Sequence, residues 1–225
     1  EVMDFAELKA RSVIARIPDG RYVFSDYLEG VAPGETIFIN TAMTVSGEEV
    51  VLDFAGSDPQ VQAALNFITG ERTHPFLSQA LNNYILTMEP GTPMNAGLIR
   101  PIRTRAPKGT IMNAEFPAAM GNRWVTVMRI YDTVIACLNQ ALPDGIVTAG
   151  AGQAGIVAVQ ARDPRTGKKR VSVIDPLCGG SGGRRNGDGV DGIDGPFGFL
   201  KSTPTEVVEV ETPILVRQFK LAPDS

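Results

Sequence analysis

Residues 36–54 read TIFINTAMTVSGEEVVLDF, and this stretch decides the fold class. Its first half alternates apolar side chains such as Ile37 and Ile39 with positions that point the other way, which is the period of a strand. Ser46-Gly47 supplies a turn, and residues 50–54 form the return strand. Because the two strands alternate in polarity, we expect a hairpin in a sheet with one solvated face.

The rest of the chain supplies helices and further short strands. Helical spacing of apolar residues predicts helices over 1–17, after Pro75 and over 123–142. Strands are predicted over 21–28, in short runs within 98–112, and over 156–161, 170–174, 207–210 and 214–221. The strands come in hairpins, so we expect a mixed α/β (α+β) fold with largely antiparallel sheets, a few packing helices and a glycine-rich loop near the C-terminal strands. We treat residues 1–225 as one region, with a possible sub-boundary near 90–97.

Composition excludes several classes of protein. Hydrophobic residues make up 43% of the chain and charged residues 20%, which suits a buried core and argues against disorder. The net charge of -4 argues against a nucleic-acid or acidic-membrane partner, and no apolar window is long enough to span a membrane. Cys137 and Cys178 are too few and too far apart for a disulfide framework, so we expect a cytoplasmic protein.

The two ends of the chain suggest a piece of a longer polypeptide. Glu1 enters a helical pattern at once, and Ser225 follows directly after a strand-like run. We therefore expect further sequence on both sides.

A glycine-rich loop is the most unusual stretch. Residues 178–192 read CGGSGGRRNGDGVDG. Glycine lets a backbone approach a ligand closely, and successive amides can form a nest for an anion. The candidate substrate-binding residues are Gly180, Gly182, Gly183 and Arg184, and the candidate catalytic residues are Asp188 and Asp191, which recur with Asp194 at every third position. The alternative is a flexible surface loop, since the Gly-Lys-Ser/Thr ending of a Walker loop is absent.

Polar residues between prolines give a second set of candidates. Asn95 and Arg100 would bind substrate, and Asn113 would act in catalysis, if their loops face a pocket. The alternative is that they cap turns, because asparagine hydrogen-bonds its neighbouring backbone readily.

The start of the 123–142 helix and the only histidine are also candidates. Arg123 would hold an anion at the helix N-terminus, with Asn122 as the N-cap. His74 stands directly before Pro75, which is more typical of an exposed or cap-like histidine than of a triad base. With one histidine, an imidazole-based metal site cannot be assembled, and we expect no metal site in this stretch.

Several runs of residues occur in a definite order along the chain. They are DFAGSDPQV (53–61), LIRPI (98–102), APKGTIMN (106–113), PAA (117–119) with GN (121–122), GGSGGR (179–184) with GDGVDG (187–192), and TPTEVVE (203–209). Together they resemble the hydantoinase B / 5-oxoprolinase / acetone carboxylase alpha-type subunit family, with Ser202 in place of an asparagine of the last run. The ordered set is specific, although no single run is, and the chain is similar to an internal fragment of that subunit.

The resemblance implies part of an ATP-dependent enzyme that hydrolyses a cyclic amide, such as a hydantoin, 5-oxoproline or a related lactam, through a phosphorylated intermediate. It implies that a hydantoinase A-like partner subunit or fused domain binds ATP and Mg²⁺, which makes a hetero-oligomer. Family members that use a divalent metal in this subunit draw its ligands from a region N-terminal to the part matched here. The resemblance therefore implies that such a metal binds outside this fragment, and that the fragment alone is inactive.

Two alternatives remain open. The same scaffold serves ATP-dependent carboxylation of acetone or an aryl ketone, and no residue here separates the two reactions. The second alternative is a non-catalytic scaffold segment of such a complex. It is motivated by the lack of a recognisable nucleophile–base pair in the sequence.

Overall fold

A computed structural model describes residues 1–152, 154–193 and 203–220. Its helices are α1 (Val2–Ile14), α2 (Pro75–Met88), α3 (Trp124–Ala141) and α4 (Thr205–Glu211), with a short 3-10 helix at Ala96–Ile99. Its strands are β1 (Gly20–Glu29), β2 (Thr36–Ser46), β3 (Glu49–Asp53), β4 (Ile102–Arg105), β5 (Ala154–Arg162) and β6 (Lys169–Cys178). These elements confirm the mixed α/β class. Over the described residues, no helix has both the length and the apolar content needed to cross a bilayer.

The chain divides into two compact units. The first contains Glu1–Ala149 with Arg184–Asn186, and the second contains Gly150–Gly183 with Gly187–Ser225. Residues 90–97, the suggested sub-boundary, lie inside the first unit.

A four-stranded sheet in the order β1-β2-β3-β4 organises the first unit. The hairpin expected from residues 36–54 is confirmed: Val45 pairs with Val50, and Gly47 in the turn has a φ of 58°, which favours glycine. β1 pairs antiparallel with β2, whereas β4 joins β3 in parallel after the chain has passed through α2. Residues 102–105 are the part of the 98–112 stretch that forms a strand.

α3 packs on β1 and β2 and closes the core of this unit. Its apolar stripe is buried in the same cluster as the inward side chains of β2. Fully burying such a side chain contributes about 1.5–3 kcal/mol, so the stripe is a major source of stability. Two polar contacts lie inside this interface: the hydroxyls of Thr41 and Thr133 are 2.7 Å apart, and the Cys137 thiol donates to the Thr41 carbonyl at 3.7 Å.

Ion pairs hold α1 against the short 3-10 helix. Arg100 Nη1 donates to Asp4 Oδ1 at 2.8 Å and to Glu7 Oε2 at 3.0 Å. The approach is close enough to require glycine at position 97, because a Cβ on Gly97 would lie 2.1 Å from the carbonyl oxygen of Met3. The guanidinium of Arg100 is therefore directed at α1.

The second unit contains the β5–β6 hairpin and α4. A turn joins the two strands, in which Asp163 Oδ1 accepts from the amide of Arg165 at 2.8 Å and Gly167 has a φ of 69°. Ser172 on β6 donates to Glu211 at the end of α4 at 3.0 Å, which fixes that helix to the strand.

The strand pair predicted over 207–210 and 214–221 is wrong. Thr205–Glu211 forms α4, and residues 214–220 carry no regular element, while Leu221 lies outside the described residues. The repeated valines and alternating charges of this stretch imitate a strand. However, Pro204 directly before the helix and Glu206 in its first turn are typical of a helix N-terminus.

We expect Arg100→Gln to raise the pKa of Glu7. The hydrogen bond from Arg100 is the largest cause that lowers this pKa, ahead of the one from Arg11. Because the folded-state pKa is lowered, the stabilisation is present above the ordinary carboxyl pKa and is lost as the pH falls through the lowered one. An NMR titration of the Glu7 carboxyl group measures the shift.

Arg103→Gln on β4 is the matched control and should leave the pKa of Glu7 unchanged, since Arg103 is exposed and outside this ion-pair group. If Glu7 titrates alike in Arg100→Gln and in the unaltered chain, Arg100 is not held on α1.

Candidate functional site

A cleft of about 570 Å³ lies in the first unit, beyond the end of β4. Its lining residues are Ile68, Gly70, Glu71, Thr104, Arg105, Ala106, Pro107, Lys108, Asn113, Ala114, Glu115 and Phe116. They come from three stretches that meet here, namely 68–71, 104–108 and 113–116. The volume is within the range of about 300–1,000 Å³ that small-molecule sites occupy.

Asn113 ties two of these stretches together. Its side chain is 7% exposed. Oδ1 accepts from the amide of Gly70 at 3.0 Å, and Nδ2 donates to the carbonyl of Ala106 at 2.9 Å. The side chain therefore bonds to the backbone of both other stretches that line the cleft, and because Gly70 is 43 positions away, it does more than cap a local turn. Asn113 also lines the cleft, so it could still contact a ligand from there.

Two further side-chain amides hold the surrounding loops. Gln60 bonds both backbone groups of Glu115, accepting from its amide at 2.7 Å and donating to its carbonyl at 3.1 Å. Asn66 is fully buried; it accepts from the amide of Val61 at 2.9 Å and donates to the carbonyl of Ala119 at 3.0 Å. The loop over 115–119 is thus fixed at both ends by side chains distant in sequence.

Charged groups of both signs surround the cleft. Lys108 Nζ lies 3.0 Å from Glu115 Oε1, and Arg105 Nη1 lies 3.5 Å from Asp53 Oδ2. These contacts involve exposed side chains, and exposed ion pairs contribute little to stability, typically about 0–1 kcal/mol. The charges are therefore available to a ligand at small energetic cost.

The other candidates of the first unit lie away from the cleft lining. Asn95 caps the 3-10 helix through Oδ1, which accepts from the amide of Gly97 at 2.8 Å, and Arg100 pairs with α1. Arg123 lies at the start of α3, with its guanidinium 5.4 Å from the ring centroid of Trp124. The expectation that Asn122 is the N-cap is wrong, because Arg123 occupies that position and makes no side-chain capping bond.

Those parts of the glycine-rich loop that belong to the second unit pair with each other. The amide of Ser181 donates to the carbonyl of Val190 at 3.0 Å, and the amide of Val190 donates to the hydroxyl of Ser181 at 2.8 Å. Gly189 must lack a side chain, because a Cβ there would lie 1.9 Å from the Ser181 carbonyl oxygen. The loop is therefore held by specific hydrogen bonds, at least between these residues.

The candidate residues of this loop lie on both sides of the Ser181–Val190 pairing. Asp188 and Asp191 are exposed, and so is Arg184, which belongs to the first unit. Gly180, Gly182 and Gly183 are half-buried, and the carbonyl of Gly180 accepts from the amide of Ala151 at 3.1 Å. Asp194 lies outside the described residues.

His74 and Cys137 have structural roles. His74 caps α2, with Nδ1 accepting from the amide of Phe76 at 3.2 Å, which confirms the cap-like alternative. Burial lowers the pKa of His74, so its ring is neutral near pH 7. Burial also raises the pKa of the Cys137 thiol to about 11, which leaves little thiolate to act as a nucleophile. Within the described ranges, no three His, Cys, Asp or Glu side chains converge on a possible metal position.

Sequence reasoning missed the charged and aromatic residues of the cleft. Glu71, Arg105 and Phe116 were not singled out, although Arg105 directly precedes the run APKGTIMN and Phe116 lies just beyond it. Their place at the ends of runs rich in proline and glycine was the available signal, since loops at strand ends often present functional side chains.

Comparison with known proteins gives matches along the whole chain. The family model described as hydantoinase B/oxoprolinase matches residues 1–225. The B-type subunit assigned to a D-/L-hydantoinase of Pseudomonas sp. (strain NS671) is 30% identical over 229 residues, which is 98% of this chain and 38% of the relative. The beta subunit of the caprolactamase of Pseudomonas jessenii is 30% identical over 234 residues, covering 100% of this chain and 39% of the relative.

A solved structure shares the fold. The crystal structure of the ATP-dependent caprolactamase from Pseudomonas jessenii superposes with a TM-score of 0.81 and 26% identity, over 97% of this chain and 38% of that one. The chain thus spans about two fifths of the length of these relatives.

We expect Asn113→Ala to lower the free energy of unfolding by about 1–3 kcal/mol, because the Gly70 amide and the Ala106 carbonyl both lose their partner. Urea denaturation measures the change. Lys108→Ala, in the same cleft but exposed, should change it by less than about 0.5 kcal/mol. Equal effects of the two substitutions would contradict the structural role of Asn113.

We expect Gly189→Ala to break the Ser181–Val190 pairing, since the new methyl group cannot fit beside the Ser181 carbonyl. The amide resonances of Ser181 and Val190 should shift and their hydrogen exchange should accelerate. Gly183→Ala is the control, because the nearest atom to its Cβ would be 3.8 Å away. If both variants keep the pairing, the loop is not folded as described.

Proposed function

This chain belongs to the hydantoinase B/oxoprolinase family, and from that premise we propose that it is the central part of the B-type subunit of an ATP-dependent enzyme that hydrolyses a cyclic amide. The observation that carries the proposal is the likeness to the ATP-dependent caprolactamase along 97% of the chain. The similarity to the B-type hydantoinase relative supports the same class of substrate, since hydantoins and lactams both contain a ring amide.

The chemistry explains why ATP is needed. Resonance makes an amide carbon a poor electrophile, as the partial double bond of the peptide group shows. Transfer of a phosphoryl group to the amide oxygen makes the carbon open to attack by water. Cleavage of the ring C–N bond then leaves an amine and a carboxyl phosphate, and a second water releases phosphate and the free carboxylate. For a lactam the products are an amino acid, ADP and phosphate, whereas a hydantoin gives an N-carbamoyl amino acid in place of the free amino acid.

The partner and cofactors follow from this scheme. We propose that a hydantoinase A-like subunit or fused domain binds ATP and Mg²⁺ and phosphorylates the substrate, so that the working enzyme is a hetero-oligomer or a fusion. A divalent metal, where one is used, would be held by parts of the protein outside this chain. Both relatives are named as single subunits of their enzymes, which supports a multisubunit enzyme.

The glycine-rich loop is the proposed contact with the activated intermediate. Arg184 and the amides around Gly180, Gly182 and Gly183 would stabilise the phosphoryl oxygens, because guanidinium groups and oriented amides bind anions well. Asp188 and Asp191 are exposed carboxylates that would orient or deprotonate the attacking water. Asn95, Arg100 and Arg123 remain proposed substrate contacts, and Asn113 a proposed catalytic one.

The test uses the full-length protein together with its ATP-binding partner. Offered caprolactam, a hydantoin or 5-oxoproline, the complex should release phosphate and ring-opened amino acid in equal amounts, whereas an acyclic amide should give neither. No phosphate release with any cyclic amide would contradict the proposal. Turnover that requires bicarbonate and a ketone would instead establish the carboxylase alternative.

A variant separates a catalytic role from scaffolding. We expect Asp188→Asn in the same complex to lower turnover at least tenfold without changing the assembly of the complex, because it removes an exposed carboxylate that makes no ion pair among the described residues. Unchanged turnover in Asp188→Asn and in Asp191→Asn, with assembly intact, would favour the scaffold alternative for this loop.

A further inference from the structure

The cleft of the first unit has two kinds of wall. Its apolar surface comes from Ile68, Pro107, Ala114 and Phe116, and its charged groups are Glu71, Arg105, Lys108 and Glu115. Two cations and two carboxylates around one apolar space suit neither an apolar ligand nor one of a single charge. They suit a ligand that carries both charges, separated by a hydrocarbon segment.

Arg105 is placed to receive a carboxylate. It lies at the end of β4, its side chain is 73% exposed, and its contact with Asp53 is 3.5 Å long. A guanidinium has five donors in a planar fork that matches a carboxylate, so a single long contact leaves most of that capacity unused. Lys108 also lines the cleft, but its ammonium group is already paired with Glu115 at 3.0 Å.

Glu71 is placed to receive an ammonium group. It lines the cleft and is exposed. Glu71 makes no salt bridge with any of the described residues, whereas Glu115 is already paired with Lys108. A carboxylate without a cation beside an apolar cleft is an acceptor for the three donors of a primary ammonium group.

Phe116 completes the apolar wall and is held in place although it is exposed. Its side chain is 94% exposed, which is unusual for phenylalanine in a folded protein. The residue before it, Glu115, is bonded through both backbone groups to the Gln60 amide, so the ring is presented from a fixed loop. An exposed aromatic ring gains by covering a ligand, because the contact removes apolar surface of both the ring and the ligand from water.

We propose that this cleft binds a short zwitterionic amino acid, the ring-opened product of a cyclic amide. Its carboxylate lies at Arg105, its ammonium group lies at Glu71, and its methylene chain lies along Phe116 and Ile68. The inference rests on the proposed function for the identity of the ligand, but the binding itself requires no ATP. The intact lactam carries neither charge, so the cleft distinguishes product from substrate.

Both ends of the ligand are needed for affinity. One exposed ion pair in water contributes little, because the charges are solvated and screened. A molecule that makes both pairs and also covers an apolar wall adds the contributions while losing its overall freedom once. The site should therefore bind the zwitterion far more tightly than either singly charged analogue.

Isothermal titration calorimetry on the full-length protein that contains this chain, in the absence of ATP, tests this directly. The probes are 6-aminohexanoate, hexanoate, hexylammonium and caprolactam, which share one carbon skeleton length. We expect 6-aminohexanoate to bind at least tenfold more tightly than each of the other three. Equal binding of hexanoate and 6-aminohexanoate, or no detectable binding of 6-aminohexanoate, overturns the proposal.

Two charge-removing variants assign the ends. Arg105→Gln should weaken 6-aminohexanoate and hexanoate at least fivefold and leave hexylammonium unchanged, whereas Glu71→Gln should weaken 6-aminohexanoate and hexylammonium and leave hexanoate unchanged. Arg103→Gln is the matched control, since Arg103 is exposed on the same strand but does not line the cleft. An equal loss in Arg103→Gln and Arg105→Gln overturns the assignment.

The outcome is distinguishable from that of the proposed function. Binding of 6-aminohexanoate with the expected variant pattern supports the site even if the complete complex hydrolyses no cyclic amide. If the complex couples ATP to hydrolysis but the titration detects no binding of 6-aminohexanoate, the binding site is contradicted and the proposed function is not.

Discussion

The loops around the cleft of the first unit depend on side-chain amides that hydrogen-bond to backbone groups distant in sequence. Buried backbone amides and carbonyls need partners, and the stretches 54–67 and 106–119 form no strands that would supply them. Gln60, Asn66 and Asn113 provide those partners instead. An amide side chain offers both a donor and an acceptor, so each one can replace a missing rung of a ladder.

This network gives the family resemblance a physical meaning. The runs DFAGSDPQV and APKGTIMN also pair directly through their backbones: the amide of Gln60 donates to the carbonyl of Gly109, and the amide of Ile111 donates to the carbonyl of Asp58. The resemblance over these stretches is therefore a resemblance between loops of defined shape. The proposed ligand cleft is a product of that shape, because its lining includes Asn113 and its aromatic wall follows the residue that Gln60 holds.

The sequence predicted those elements whose cause is local. The β2–β3 hairpin and α3 follow from the periods of their apolar residues, and the family from an ordered set of runs. α4 was mistaken for a strand because its valines favour a strand, whereas the residues at its start favour a helix. The bonds from Asn113 to Gly70 and from Arg100 to Asp4 join residues 43 and 96 positions apart, and no local pattern reveals such a pair. Asn113 was found as a candidate because it lies inside the run APKGTIMN, whereas Glu71 and Arg105 lie outside the recognised runs.

Hydrogen exchange at three loop amides tests the central claim most directly. The amides of Val61, Gly70 and Glu115 each bond to the side chain of Asn66, Asn113 or Gln60. If those side chains replace a strand ladder, these amides should exchange as slowly as the amides paired between β2 and β3. Exchange as fast as in an unfolded peptide would show that the loops are not held, and the account of the cleft would be contradicted.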